Sequence, residues 1–199
     1  LASVIYQNYQ FDEGMAYLKA ALDMSVLSNN LVGITHPKGA LALSYNWQGK
    51  TDLALQMSTE AMQSASDSGD IIALQPAYTS HGLSCYYKGL FFEAEKYFLE
   101  GLIYYEKASI ANWGGLASGY LGFTYADMGE YWKAQEYHSI CVSILEDARV
   151  FPSWLNVHKL FFAKAKILIH KSDIDLNELN DLIAAHEKNR LAVCESFGT

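Results

Sequence analysis

Few residues in this chain are able to do chemistry at neutral pH, and they are scattered. Six histidines and three cysteines are the metal-binding and nucleophilic candidates. A metal site needs three or four converging ligands. Neither HExxH nor a paired HxxxH occurs, and His158 and His170 stand too far apart on one helix to share an ion. Cys85, Cys141 and Cys194 include no CxxC pair, and their odd count and wide spacing point to reduced thiols rather than a disulfide framework. Ser118 in Gly115-Leu116-Ala117-Ser118-Gly119 is displaced by one from the GxSxG elbow and lies in helical register, without the strand-to-helix turn that exposes such a nucleophile. Gly114, Gly115, Gly119 and Gly122 follow no strand, so they are not a dinucleotide fingerprint, and no GxxxxGK[ST] loop is present. The expectation is a non-enzyme without metal or cofactor, its glycines serving close helix packing.

The elements that hold these residues repeat. Gln48–Ser58, Lys88–Phe98 and Met128–His138 are versions of one another forty residues apart. Gly49, Gly89 and Gly129 align, as do Ala54, Ala94 and Ala134. Ala42, Gly82 and Gly122 form a column of small residues upstream, and Ala61, Gly101 and Cys141 form one downstream. Leu41 and Leu121 precede the upstream column, with His81 between them, and Tyr45, Cys85 and Tyr125 follow it. A partial copy, Tyr9 to Gly14, opens the chain. Each unit predicts a helical hairpin whose small residues let two helices approach and whose Gly suits a left-handed cap. Thr35-His36-Pro37 is expected to place its proline in a first helical turn, and Ser66 to Asp70 to separate two units. A repeat of this length means modules that bury their faces only against neighbours.

The pattern resembles the tetratricopeptide (TPR) repeat. Leu121-Gly122-Phe123-Thr124-Tyr125, Gly129, Ala134 and Cys141 carry it best, followed by the copies around Gly82–Gly101 and Leu41–Ala61. The period is longer than the usual one, and the opening Trp and closing Pro are missing. In this it is similar to the arrays of kinesin light chain and of large bacterial regulators, including cyclase- and ATPase-linked ones. The resemblance implies an all-α solenoid of stacked antiparallel hairpins in a right-handed superhelix. Units are expected at 1–30 (partial), 31–70, 71–110, 111–150 and 151–195 of one domain, cut from a longer protein. Pro152–His170 reads as a fifth first helix, and 175–195 as a divergent closing helix, started by Asp175 with Glu178 and striped by Leu176, Leu179, Leu182 and Ile183.

Composition narrows the partners. A net charge of −8 disfavours phosphate backbones and so nucleic acid. Residues 1–148 carry seven Lys/Arg against sixteen Asp/Glu, and 149–199 seven against six. No basic n-region followed by an apolar run is present, and the location expected is cytoplasmic. Ala108–Ala126 is uncharged but holds four glycines and several polar residues, which suits a buried helix better than a membrane span.

In TPR-like arrays the first helices line a concave face, and here those helices are almost uncharged. The resemblance therefore implies a neutral, aromatic groove formed by Asn46, Trp47, Thr79, Leu83, Tyr86, Tyr87, Tyr120, Phe123 and Asp127. Lys159 and Lys166, one heptad apart, add the cations of the last unit, as a solvated face or as a contact with an acidic residue. The clamp that some TPR domains use for acidic tails needs Lys and Asn on the first helices, so that ligand class is disfavoured. The same aromatics would equally serve to pack adjacent long units, and both readings stay open. The functional expectation is a scaffold for a peptide or partner helix. The alternative is a regulatory or sensor region contacting the rest of its own chain. Exposed repeat ends make a homodimer plausible.

Overall fold

A computed structural model describes residues 11–150, 152–170, 180–181, 183–184 and 187. Among the described residues there is no strand, and eight α-helices follow one another. They are α1 (Phe11–Leu27), α2 (Leu31–Trp47), α3 (Thr51–Ser68), α4 (Ile71–Tyr87), α5 (Phe91–Ala108), α6 (Ala111–Asp127), α7 (Tyr131–Ala148) and α8 (Pro152–His170). The fifth first helix thus has the bounds expected of it. The expected closing helix lies largely outside the described residues, as does Cys194, although Asn180, Asp181, Ile183, Ala184 and Glu187 are helical. The chain forms two compact units, Leu1–Trp113 and Gly114–Thr199.

The forty-residue echo is a backbone repeat. At each hairpin turn a glycine takes the left-handed conformation: Gly49 at φ 73°, Gly89 at φ 74° and Gly129 at φ 80°. Each turn closes with the same two hydrogen bonds, for instance Gly89 N–H to Tyr86 O and Leu90 N–H to Cys85 O, matched by Gly129 to Ala126 and Glu130 to Tyr125. A second left-handed column separates the hairpins. It consists of Asn29 (φ 51°), Gly69 (φ 64°), Ser109 (φ 56°) and Arg149 (φ 54°). The chain therefore reverses every twenty residues, and three of these reversals use residues that pay for a Cβ in that conformation.

One boundary differs from expectation. Asn30 caps α2, its side chain accepting from Gly33 N–H at 2.9 Å. The helix therefore begins well before Thr35, and Pro37 lies inside it rather than in its first turn. Pro76 likewise lies inside α4, one place earlier in the repeat register, and α4 starts at the Asp70 cap.

In the first unit α2 packs on α1, α3 and α4, and α4 on α3 and α5. Ala54 and Ala94 of the second helices are fully buried, so backbones meet where the repeat puts alanine. Met15, Leu18 and Leu41 form one apolar cluster, and Ala65, Ala73 and Ala77 another. Gln75, fully buried, braces the turn at Ser109: its amide donates to Ile110 O at 3.0 Å and accepts from Ile110 N–H at 3.3 Å. In the second unit α7 packs on α8, and Ala134, Cys141 and Leu121 are fully buried.

Candidate partner-binding surface

The small columns exist to receive large side chains. In the first unit a Cβ built on Gly82 would lie 2.8 Å from the ring of Phe98, which is fully buried. In the second unit one built on Gly122 would lie 2.5 Å from His138 Nδ1. Phe98 and His138 occupy the same place in successive repeats, and the third member of that column is Ser58, with Ala42 in the small column. Small and large residues thus trade volume between the two helices of a hairpin.

This packing sorts the residues expected to line a groove. In the first unit Thr79 and Leu83 have no exposed surface and Asn46 has 2%. Thr79 Oγ1 sits against Gly101, and Asn46 donates to Ser84 Oγ at 3.2 Å. These three are therefore interior residues, because the neighbouring small column brings another helix onto them. Tyr86 and Tyr87 are half-buried and meet edge-to-face at 5.6 Å, and Tyr86 also meets Phe91 at 5.8 Å. Trp47 is 42% exposed. Trp47 and Tyr87 are the last residues of α2 and α4, one repeat apart. Trp47 and the half-buried Tyr87 thus present aromatic surface at the C-terminal ends of these helices, while the aliphatic Leu31, Ile71 and Ile72 are exposed at their N-terminal ends.

A second aromatic group in this unit is absent from the sequence reading. Tyr78 stacks on Tyr104 at 5.2 Å, and Tyr97 meets His81 edge-to-face at 4.5 Å. His81 Nδ1 lies 3.0 Å from Ser58 Oγ. Burial holds the His81 ring below, and the Tyr78 phenol above, their ordinary pKa values. Lys96 and Lys107 cover the rings of Tyr97 and Tyr104. Tyr97 and Tyr104 stand at i and i+7 of α5, a helical spacing visible in the sequence, whereas nothing along the chain relates Tyr78 of α4 to them.

In the second unit Tyr120 is 4% exposed, so it too is interior. Phe123 is half-buried at the centre of a ring cluster: Phe161 lies at 4.7 Å, His158 at 5.0 Å and His138 at 5.1 Å. Trp154 stands against Tyr120 at 5.6 Å and against His158 at 4.8 Å. Trp154, His158 and Phe161 sit at i, i+4 and i+7 of α8, a helical stripe that sequence alone could have flagged. Asp127, at the end of α6, is exposed. Lys159 pairs with Glu146 at 2.5 Å, and Lys166 lies 4.2 Å from the Phe162 ring centroid. Lys159 is thus a local ion pair between α7 and α8 rather than a solvated cation.

The thiols among the described residues, Cys85 and Cys141, are buried. Burial pushes Cys85 up to about 11 and Cys141 up to about 12, and Cys141 donates to Gly115 O at 3.3 Å. Among the described residues no three His, Cys, Asp or Glu side chains are placed to hold a metal, and no helix is long and apolar enough to cross a membrane.

No family model matches the chain, and no curated protein matches it. Solved structures do. BtubC (BKLC) from P. vanneervenii superposes with a TM-score of 0.68 at 16% identity, over 96% of this chain and 78% of that one. A signal transduction ATPase with numerous domains (STAND) with a tetratricopeptide repeat sensor, from Pyrococcus horikoshii, gives 0.69 at 18%, over 96% of this chain and 30% of that one. A Podosopora anserina putative kinesin light chain with nearly identical TPR-like repeats gives 0.58 at 15%, over 100% and 94%. At such identities the likeness is one of fold: the chain is all-α and has the TPR-like helical-repeat architecture.

Proposed function

We propose that this chain is a non-catalytic interaction module that holds a peptide or a partner helix against the aromatic C-terminal ends of its first helices. The observation that carries the reading is the pair Trp47 and Tyr87. Both end a first helix of the first unit, one repeat apart, and neither is deeply buried. No charged residue occurs in Gly39–Gly49 or Ile71–Tyr87. Tryptophan and tyrosine combine a large apolar area with a polar tip and little entropy to lose, which makes them effective anchors. Tyr86 extends this surface. In the second unit the exposed edge of Phe123, with Asp127 and Lys166, is the corresponding contact set. Asn46, Thr79 and Leu83 in the first unit, and Tyr120 in the second, are interior residues, and Lys159 is held by Glu146.

The TPR-like fold supports a binding role. The sensor repeats named for the STAND structure favour, as a second reading, a regulatory region that contacts another part of its own chain. The two differ in where a crosslink lands. A photo-crosslinking residue in place of Tyr87 is expected to capture a separate polypeptide in the source cells, and Trp47→Ala is expected to remove that product while helicity is kept. A crosslink wholly within one longer chain favours the regulatory reading. If Phe92, 75% exposed on α5, captures as much as Tyr87, the proposed surface is wrong.

A further inference from the structure

The second unit buries two histidines against each other. His138 of α7 is 1% exposed and His158 of α8 is fully buried, and their Nδ1 atoms lie 3.0 Å apart. Gly122 and Gly119 of α6 make the room: a Cβ at either position would come within 2.5 Å of a ring atom. Phe123, Trp154 and Phe161 enclose the pair. Neither Nε2 has a hydrogen-bond partner among the described residues.

The neutral pair fits this place. One Nδ1 donates its proton, and the other accepts it. In that arrangement the accepting ring already holds one Nε2–H without an acceptor; a first added proton puts a cation among the aromatic rings and adds a second such Nε2–H, and a further proton makes both facing Nδ1 atoms donors. Each is costly in a buried site. Among charged groups on the three helices, Asp127 ends α6 exposed. Lys133, Glu136, Glu146 and Asp147 lie on the exposed side of α7. Lys159, Lys164 and Lys166 lie on α8, with Lys159 paired to Glu146 and Lys164 over the Phe161 ring. None of them offsets the cost: the lowered affinity of His138 for protons comes from burial, and that of His158 from burial and from His138. The Cys141 thiol beside the pair stays protonated.

We propose that the His138–His158 contact is an acid-sensitive latch that holds α8 on α7, and that proton uptake loosens α8 and uncovers the Phe123–Trp154–Phe161 cluster. The rings are neutral in the closed state and titrate ordinarily once released, so the open state binds more protons. The latch is complete above the ordinary histidine value of 6.5 and weakens as pH falls toward the closed-state value, about 4 for His138. At pH 5, His138 alone shifts the closed-to-open ratio about thirty-fold toward open.

Hydrogen exchange of the full chain, corrected for the intrinsic pH dependence of exchange, tests this. Between pH 7.5 and 5, protection of the α8 amides is expected to fall at least tenfold more than that of α2 and α3. In H138L/H158L the extra fall is expected to vanish, and in H81Q, which removes a histidine of the other unit, to remain. If the double variant does not fold, imidazole resonances of the unaltered chain decide: His138 and His158 should stay neutral below pH 6 while α8 is closed. The proposal is overturned by a uniform loss of protection across all helices, by a step that survives in H138L/H158L, or by both rings titrating near 6.5 in the closed state.

Discussion

Gly122 lies against His138 so closely that a methyl group on its Cα would come within 2.5 Å of the imidazole Nδ1. One repeat earlier Gly82 stands in the same relation to Phe98, at 2.8 Å. The glycine is required in both hairpins by what faces it, and what faces it differs.

This makes the columns testable as pairs. Gly82→Ala should destabilise the chain by about 1–3 kcal/mol through overpacking against a ring that has nowhere to go. Phe98→Leu in the same chain should recover part of that loss, a coupling expected of contacting residues and measurable by a denaturant double-mutant cycle. If the two effects simply add, the volume trade between the columns is wrong.

The two left-handed columns predict opposite signs where a side chain and where a glycine holds the turn. Arg149 holds φ 54° with a side chain, so Arg149→Gly should stabilise by up to about 1 kcal/mol. Gly89 holds φ 74°, and a Cβ there would meet open space. Gly89→Ala should therefore cost about 1 kcal/mol from conformation alone. Urea midpoints of the two variants check both signs.

Gln75 accepts from Ile110 N–H and is a second donor to Ile110 O, which also accepts from Trp113 N–H. Gln75→Leu keeps the volume and removes both Gln75 bonds, and should cost about 1–3 kcal/mol. Thermal melts should show the loss, with exchange at the Ile110 amide rising before that of α4.

Burial separates the aromatics by stability as well as by binding. Tyr120→Ala should cost about 3–5 kcal/mol, as for a large core side chain, whereas Trp47→Ala should cost less than about 1.5 kcal/mol. A comparable loss at Trp47 would place it in the core and remove the main support for a surface there.

Cys85 and Cys141 should resist alkylation at pH 8 and react at once in denaturant, because their thiols are buried and held protonated. Peptide mapping after a short alkylation pulse reads each thiol separately. Labelling of Cys141 as fast as a free thiol would contradict its burial.

The period, the hairpins, the glycine turns and the bounds of Pro152–His170 were legible in the amino-acid order. Each is a local matter: a left-handed turn selects Gly, and close helices select Ala and Gly at constant spacing. The left-handed turns at Asn29, Ser109 and Arg149 were not legible, because the residues there do not disclose the strain they carry. The start of α2 was missed for a related reason, since Pro37 is a strong signal while the Asn30 cap that sets the boundary is a weak one. The largest difference concerns the groove. Charge-free first helices read alike whether their side chains face a partner or a neighbouring helix. Only packing decided that Asn46, Thr79, Leu83 and Tyr120 go inward while Trp47 remains exposed. Likewise nothing along the chain relates His138 to His158, twenty residues and one turn apart. Their contact follows from two glycines on a third helix, a relation that exists only once the three helices are assembled.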